Sequence, residues 1–317
     1  MKYIAFLFFI LFFIACTQEE KKITSTTRTQ VIMGTFSSIS LETKHSREIE
    51  EGFKYLKELE HVLSSYLEDA LVFKLNKERF LPTQATLKDI LEKSKAYHKQ
   101  THGYFDITVG AITKKLYHFG EEEKVPTQKQ LHQANLGIDN IHIDDNNIEL
   151  KENITIDLGG IGKGYAVDSL ASLYAKKGLV NGKIALSGDI RCLDACEVGI
   201  QNPFKENETI ATLTSKRDNL SISTSGTYRR YVKEKKHHHL INPKTKTQGR
   251  SFVSVTIVAQ ADNTLCDVMA TAISTMPKDV ALAFVASQKN FGYILMTSKE
   301  EMIKGNLEEF VKFKHSP

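Results

Sequence analysis

The chain has no tryptophan, six prolines and four cysteines among its 317 residues. Each shortage removes a class of answer. Without tryptophan, ring stacking on a flat ligand falls to tyrosine or phenylalanine. With so few prolines and no Pro-rich or low-complexity tract, no linker divides the chain into independent units. Lys and Arg total 42 against 38 Asp and Glu, a formal charge of +4, too little to imply a nucleic-acid partner. No apolar run reaches the roughly 20 residues of a membrane-spanning helix. What remains is ordinary globular material, 41% hydrophobic and 25% charged. Disorder, collagen and coiled coil are excluded as the main architecture.

The apolar residues are unevenly spread, and their densest block is residues 1–15. Lys2 precedes an apolar stretch over 3–15, and Thr17-Gln18-Glu19-Glu20 follow at once. This is the layout of a signal peptide. Its end, Phe13-Ile14-Ala15-Cys16, resembles a bacterial lipobox, with Phe13 where Leu is usual. The expectation is cleavage before Cys16 and a diacylglycerol on its thiol. The other reading is a plain secretory signal with an incidental Cys. Residues 16–28 are polar and aperiodic, as a tether would be, which assigns 29–317 to the folded domain. A lipid-anchored protein of the bacterial cell envelope, facing the periplasm or the outside, is expected.

An exported chain meets an oxidising environment. Cys192 and Cys196 are close enough in sequence to bridge a tight turn, or to remain two thiols. No His joins them at zinc-ligand spacing.

Along the domain, strand character around 33–42 is followed by a helical stripe of Ile49, Phe53, Leu56 and Val62/Leu63. A second helix is expected from Thr86 as N-cap, with Leu87, Ile90, Leu91 and Tyr97 on one face and Gly103 as its stop. Residues 141–157 alternate around Asp145-Asn146-Asn147 and read as a hairpin. A glycine-rich turn at 159–164 then enters a helix with Val167, Leu170, Ala171 and Tyr174 inward. Strands are expected near 183–187, 197–201, 208–214, 220–223 and 253–259. Helices follow near 264–275 and 278–288, and a closing strand near 293–297. Helices and strands mix without regular βαβ alternation, so the class is α+β. The expected architecture is a single bilobed domain with mixed sheets and packed helices.

Three segments carry chemistry. In ITIDLGGIGKGYAVD (154–168), glycines let backbone approach a ligand, and the following helix offers free N–H groups to phosphate, with Lys163 adjacent. It is not a Walker A loop, because Gly164 follows the Lys. A plain structural turn also fits. In NTLCDVMATAIST (263–275), Asp267 and Thr271 are four apart and share a helix face. A carboxylate, a hydroxyl and backbone carbonyls suit a hard cation such as magnesium. A dipole-stabilising Asp and a back-bonding Thr would give the same pattern. In HHHLINPKT (237–245), three consecutive His cannot all face one point on regular structure, so a solvated basic loop is expected. One of them can still serve as an acid–base group.

Taken in order, these segments resemble the ApbE family, the FAD:protein FMN transferases. Further matching pieces are MGTF (33–36), LSSY (63–66), GYFDITVGAI (103–112), SGDI (187–190), VGIQNP (198–203), STSGTYRRY (223–231) and DVMATA (267–272). The resemblance implies a magnesium-dependent enzyme that takes FAD, places FMN on a threonine hydroxyl of an acceptor protein through a phosphoester, and releases AMP. By position it implies FAD contacts at Met33, Tyr66, Tyr104, Phe105, Asp106, Asp157, Lys163 and Ile241. It implies magnesium ligands at Gly160 (carbonyl), Asp267 and Thr271, with Ala270 as a further carbonyl. Asp267 thus counts as catalytic, and His239 becomes the candidate proton shuttle. Implied acceptors are subunits of membrane redox complexes of the NADH:quinone or Rnf type, or periplasmic flavoproteins. The chain departs from the family pattern at several positions. Asn242 replaces Asp, Lys246 and Ser187 each replace Gly, Cys266 replaces Ala, and Leu67-Glu68-Asp69 replaces Pro-Asp-Ser. Two other readings share most of the site: an FAD pyrophosphatase that gives FMN and AMP, and a non-catalytic FAD-binding lipoprotein.

Overall fold

A computed structural model describes residues 24–316. Residues 1–15 and Cys16 lie outside that range. The tether boundary at 28 needs correction: Ser25–Ile32 is already a strand, paired antiparallel with Thr35–Glu42. The sequence hides it because the strand is polar and mostly exposed, so no in–out alternation marks it. Met33 and Gly34 form the turn, both with positive φ (54° and 66°), which suits a tight two-residue hairpin.

That hairpin begins an eight-stranded sheet. Thr35–Glu42 pairs with Gly182–Leu186, and Asp189–Cys192, Leu220–Gly226, Ser254–Gln260, Gly292–Met296 and Met302–Gly305 follow in spatial order. Every ladder in it is antiparallel. The mixing is therefore of helices with sheets, not of strand directions. In Ser254–Gln260, Val255, Ile257 and Ala259 join the main core. Val258 points the opposite way into a second core. Alternation along one strand thus feeds two layers, which is why nearly the whole strand is buried.

On the first face lie Ser46–Leu63, Gly162–Lys176 and Asn263–Thr275. The expected stripe on Ser46–Leu63 holds: Ile49, Phe53, Leu56 and Leu63 are buried. On the other face sits a three-stranded sheet of Val311–His315, Thr209–Ser215 and Glu197–Gln201. Cys192, at the end of a large-sheet strand, is disulfide-bonded to Cys196, which precedes a small-sheet strand, with Cα atoms 6.0 Å apart. The bridge therefore staples the two sheets. Cys266 is a buried thiol.

The helix expected from Thr86 is Ala85–Gln100; its cap is Gln84, whose side chain accepts from the Leu87 N–H at 2.9 Å. The strand expected near 293–297 does not close the chain, since Met302–Gly305 and Val311–His315 come after it. Gly162–Lys176 and Asn263–Thr275 cross at Gly164, where any Cβ would overlap the Asn263 carbonyl and crowd the Asp267 side chain. A buried clamp secures this crossing. Asp168 accepts from the N–H groups of Asn263 (2.8 Å) and Thr264 (2.7 Å) and pairs with Arg191. Arg191 also donates to Ser221 and Asn263.

Candidate active site

Between the glycine-rich turn, the ends of the central strands and the loop after Leu220–Gly226 lies a cleft of about 1170 Å³. Its lining includes Met33, Tyr66, Tyr104, Phe105, Asp106, Asp157, Gly160, Lys163, His239, Ile241, Asp267 and Thr271. Of the site residues read from the sequence within the described range, Ala270 alone is not at its wall. Ala270 is fully buried, and its carbonyl already accepts the Ser274 hydroxyl at 2.7 Å.

The floor is built around Asp267. Its carboxylate accepts from the Gly164 N–H at 3.1 Å and has the Lys163 Nζ at 3.4 Å. Lys163 in turn is 2.8 Å from Asp189, whose other oxygen accepts the Ser223 hydroxyl at 2.7 Å. Burial pushes the Asp267 carboxyl up, and the nearby Asp189 charge adds to this; Lys163 and the Gly164 N–H oppose it. Burial alone would lower Lys163, but the two carboxylates outweigh it and hold the ammonium firmly protonated. Asp189 and Ser223 received no role from the sequence. The signal was the SGDI segment, but nothing local says that its Asp meets a lysine 26 positions earlier.

Thr271 stands one helical turn after Asp267. A Cβ on Gly160 would lie 2.9 Å from the Thr271 methyl and 3.0 Å from its hydroxyl, so only glycine leaves that hydroxyl room. Ser274 and Thr275 bond back to helix carbonyls, whereas Thr271 lines the cleft. A carboxylate and a hydroxyl beside a Gly-bounded space are hard oxygen donors, and they fit magnesium. Among the described residues no group of three or more His, Cys, Asp or Glu converges on one point. The donor set for a hard ion is thus a mixed one.

The turn before the helix is itself anchored. Asp157 accepts from the Gly159 N–H (2.9 Å) and the Thr113 hydroxyl (2.6 Å). Asp106 is likewise engaged, accepting from the Thr108 N–H and hydroxyl, with His98 3.4 Å away; burial raises its pKa. Both carboxylates shape the walls. The Met33 N–H donates to Glu60 at 2.6 Å, which fixes the hairpin turn at the cleft's lip.

Aromatic surfaces are where the absent tryptophan required them. The Lys114 ammonium sits 3.0 Å from the Tyr66 ring centroid, and Arg230 donates to the Tyr66 hydroxyl. Burial and nearby Asp157 push the Tyr66 phenol up to about 12, against the pull of Arg230. Lys244 lies 4.3 Å from the Tyr104 ring. Phe105 is packed into the main core and shows little of itself.

The three histidines have three fates. His237 ends a short 3-10 turn. His238 is buried: its Nε2 faces the Gly249 carbonyl at 2.9 Å and its Nδ1 accepts from the Leu240 N–H at 3.3 Å. His239 enters the cleft with Nδ1 3.1 Å from the Arg230 carbonyl. A nitrogen facing a carbonyl carries the proton, so Nε2 is the free acceptor. Burial lowers the His239 pKa to about 4, helped by Arg230, His238 and Lys163, against that hydrogen bond.

Three departures from the family pattern have a defined structural setting. Asn242 donates to the Thr275 carbonyl at 2.9 Å and accepts from the Lys244 N–H at 2.9 Å. An aspartate would lack the donor. Lys246 and Ser187, each in place of Gly, both have φ of 56°, the left-handed region that favours glycine. Lys246 recovers part of that cost by donating to the carbonyls of His132 (2.9 Å) and Ala134 (2.8 Å).

A cleft of dinucleotide size, with cations over its aromatic walls and a charged floor at a helix start, is the site of a phosphate-handling enzyme. The chain belongs to the ApbE family, whose model matches residues 33–295. It is 28% identical to the FAD:protein FMN transferase of Haemophilus influenzae, over 94% of this chain and 93% of that one. It is 30% identical to the enzyme of that name from Buchnera aphidicola, over 80% of each chain. The fold is shared with the ApbE protein of Thermotoga maritima, with a TM-score of 0.81, 22% identity and coverage of 90% and 98%. It is shared too with the flavin transferase ApbE of Vibrio cholerae, with a TM-score of 0.77, 20% identity and coverage of 90% and 99%.

Proposed function

We propose that the protein transfers FMN from FAD to a threonine hydroxyl of an acceptor protein and releases AMP. Its relatives carry the name FAD:protein FMN transferase. The observation that most favours transfer is His239: a neutral ring whose Nδ1 is committed to a carbonyl, leaving Nε2 to take a proton inside the cleft.

In this reading Tyr66 and Tyr104 flank the rings of FAD, and the glycine-rich turn with Lys163 receives the pyrophosphate. The acceptor threonine oxygen attacks the phosphorus of the FMN half as His239 Nε2 takes its proton. The bond from that phosphorus to the bridging oxygen breaks, and AMP leaves with the oxygen. Gly160, Asp267 and Thr271 would hold magnesium, which when bound neutralises phosphate charge and polarises phosphorus. Lys163 stays protonated throughout, as a fixed positive charge.

The proposal extends to location. Residues 1–16 support a lipoprotein anchored through Cys16 in the cell envelope. Its acceptors there are subunits of NADH:quinone or Rnf-type complexes, or periplasmic flavoproteins. Metabolic labelling with a fatty acid, lost in Cys16→Ser, tests the anchor.

The activity test incubates the protein with FAD, magnesium and a threonine-bearing acceptor fragment. In-gel flavin fluorescence and AMP release are read together. Fluorescent acceptor with stoichiometric AMP is expected. AMP without labelled acceptor would establish the pyrophosphatase instead, and tight FAD binding without AMP a storage protein.

A further inference from the structure

Glu197–Gln201 is the outer strand of the three-stranded sheet, and among the described residues only Thr209–Ser215 pairs with it. Its other edge runs along the cleft, where Val198, Gly199, Ile200 and Gln201 form part of the lining. The register fixes which backbone groups face that way. The Ser215 N–H donates to the Cys196 carbonyl at 2.9 Å, so 196 and 215 are a hydrogen-bonded pair. Bonded and non-bonded pairs alternate along an antiparallel ladder. Val198 opposite Leu213 is then a bonded pair, and Gly199 opposite Thr212 is not. The N–H and C=O of Gly199 therefore point away from the sheet, toward the open edge.

Val198 and Ile200 anchor the strand in the second core. Gly199 between them is exposed and has no side chain to shield its backbone. Exposed edges are usually blunted by Pro or Lys, and Glu197–Gln201 has neither. Among the described residues, no backbone group outside the sheet bonds to Val198, Gly199 or Ile200. The exposed Phe36 also lines the cleft, and its strand partner Val31 is exposed beside it.

We infer that this edge is the rail on which the acceptor docks. The threonine-bearing segment of the acceptor adds to Glu197–Gln201 as an extended strand, and its side chain reaches His239 from there. This rests on the transfer reading. The occupant is an extended peptide because the edge offers backbone groups and no side-chain pocket at Gly199.

The test uses the intact protein with FAD, magnesium and acceptor peptides N-methylated at one backbone amide at a time. Methylation at alternate residues should raise the acceptor KM about tenfold, with the residues between unaffected, because a strand bonds its neighbour with period two. Hydrogen exchange across 197–201 should slow on adding unmethylated acceptor. Transfer that tolerates every methylation equally, without protection at 197–201, overturns the proposal. Protection that grows with protein concentration in the absence of acceptor also overturns it, by assigning the edge to a second copy of this chain. Protection by acceptor without flavin transfer would sink the transfer reading and leave the rail standing.

Discussion

The two walls of the cleft are built differently. The floor, from Gly160 to Thr271, sits where two helices cross, with Lys163 bridging Asp267 and Asp189 and a second clamp behind them. The opposite wall is a loop. His239 itself reaches the cleft with its N–H and its Nδ1 both directed at one carbonyl, that of Arg230. The floor is preorganised for charge and the loop for proton movement. Damage to the floor should therefore cost chemistry and stability together, whereas removal of the His239 side chain should cost chemistry alone.

The largest effect should come from Asp267→Ala. It removes the floor's central carboxylate, leaves the Gly164 N–H without its acceptor and leaves Lys163 with Asp189 alone. Magnesium-stimulated AMP release should fall by about 10²–10³-fold, as for other electrostatic groups at reacting centres. Unchanged AMP release would end the metal assignment. Next, Arg191→Ala strips a buried partner from Asp168 and should lower unfolding free energy by about 3 kcal/mol, read by urea denaturation. A loss as small as that of an exposed pair would show that the crossing does not depend on its clamp.

On the loop, His239→Ala should slow transfer by about 10²-fold with FAD affinity kept, measured by flavin fluorescence titration. With its pKa near 4, wild-type His239 is already neutral at pH 5. Transfer should show no His-dependent inflection near 6.5 and should fall only as pH approaches 4. A limb at 6.5 that disappears in His239→Ala would contradict the geometry.

His238 sharpens the contrast, because it is structural. Burial lowers its pKa from 6.5 to about 4. Between those values the unfolded chain binds more protons, so stability falls as pH drops through that window, by up to about 1.4 kcal/mol per unit. His238→Gln should lose less between pH 7 and pH 5 than wild type does; an equal loss would assign the dependence elsewhere. The smallest effect is expected for Asn242→Asp, at about 1 kcal/mol from the lost bond to the Thr275 carbonyl. A gain in melting temperature would show that the family's usual Asp suits this chain as well.

Legibility in the sequence followed the same division. Ser46–Leu63, Gly162–Lys176 and Asn263–Thr275 announce themselves because their inward residues recur with helical spacing. Ser25–Ile32 does not, being polar on both faces. Leu71–Glu78 and Gln128–Gln133 are too short to establish a period. The residues aligned with family motifs came together in one cleft, apart from Ala270. The residues that hold them there were not legible. Asp189, Ser223, Arg191 and Asp168 act on partners tens of positions away, and no local pattern encodes such a meeting. Gln84 took the cap from Thr86 because its side chain, one residue outside the helix, reaches the Leu87 N–H.

The crossing at Gly164 has one more consequence. The cleft gathers residues from Met33 to Thr271, and its floor joins segments about a hundred positions apart. Contacts so distant in sequence close late, after the loops between them have been ordered. No fragment released early in synthesis can hold a working floor. Flavin transfer is thus a report that the entire chain has reached its final topology, and a nascent or clipped copy should be catalytically silent before it is visibly unfolded.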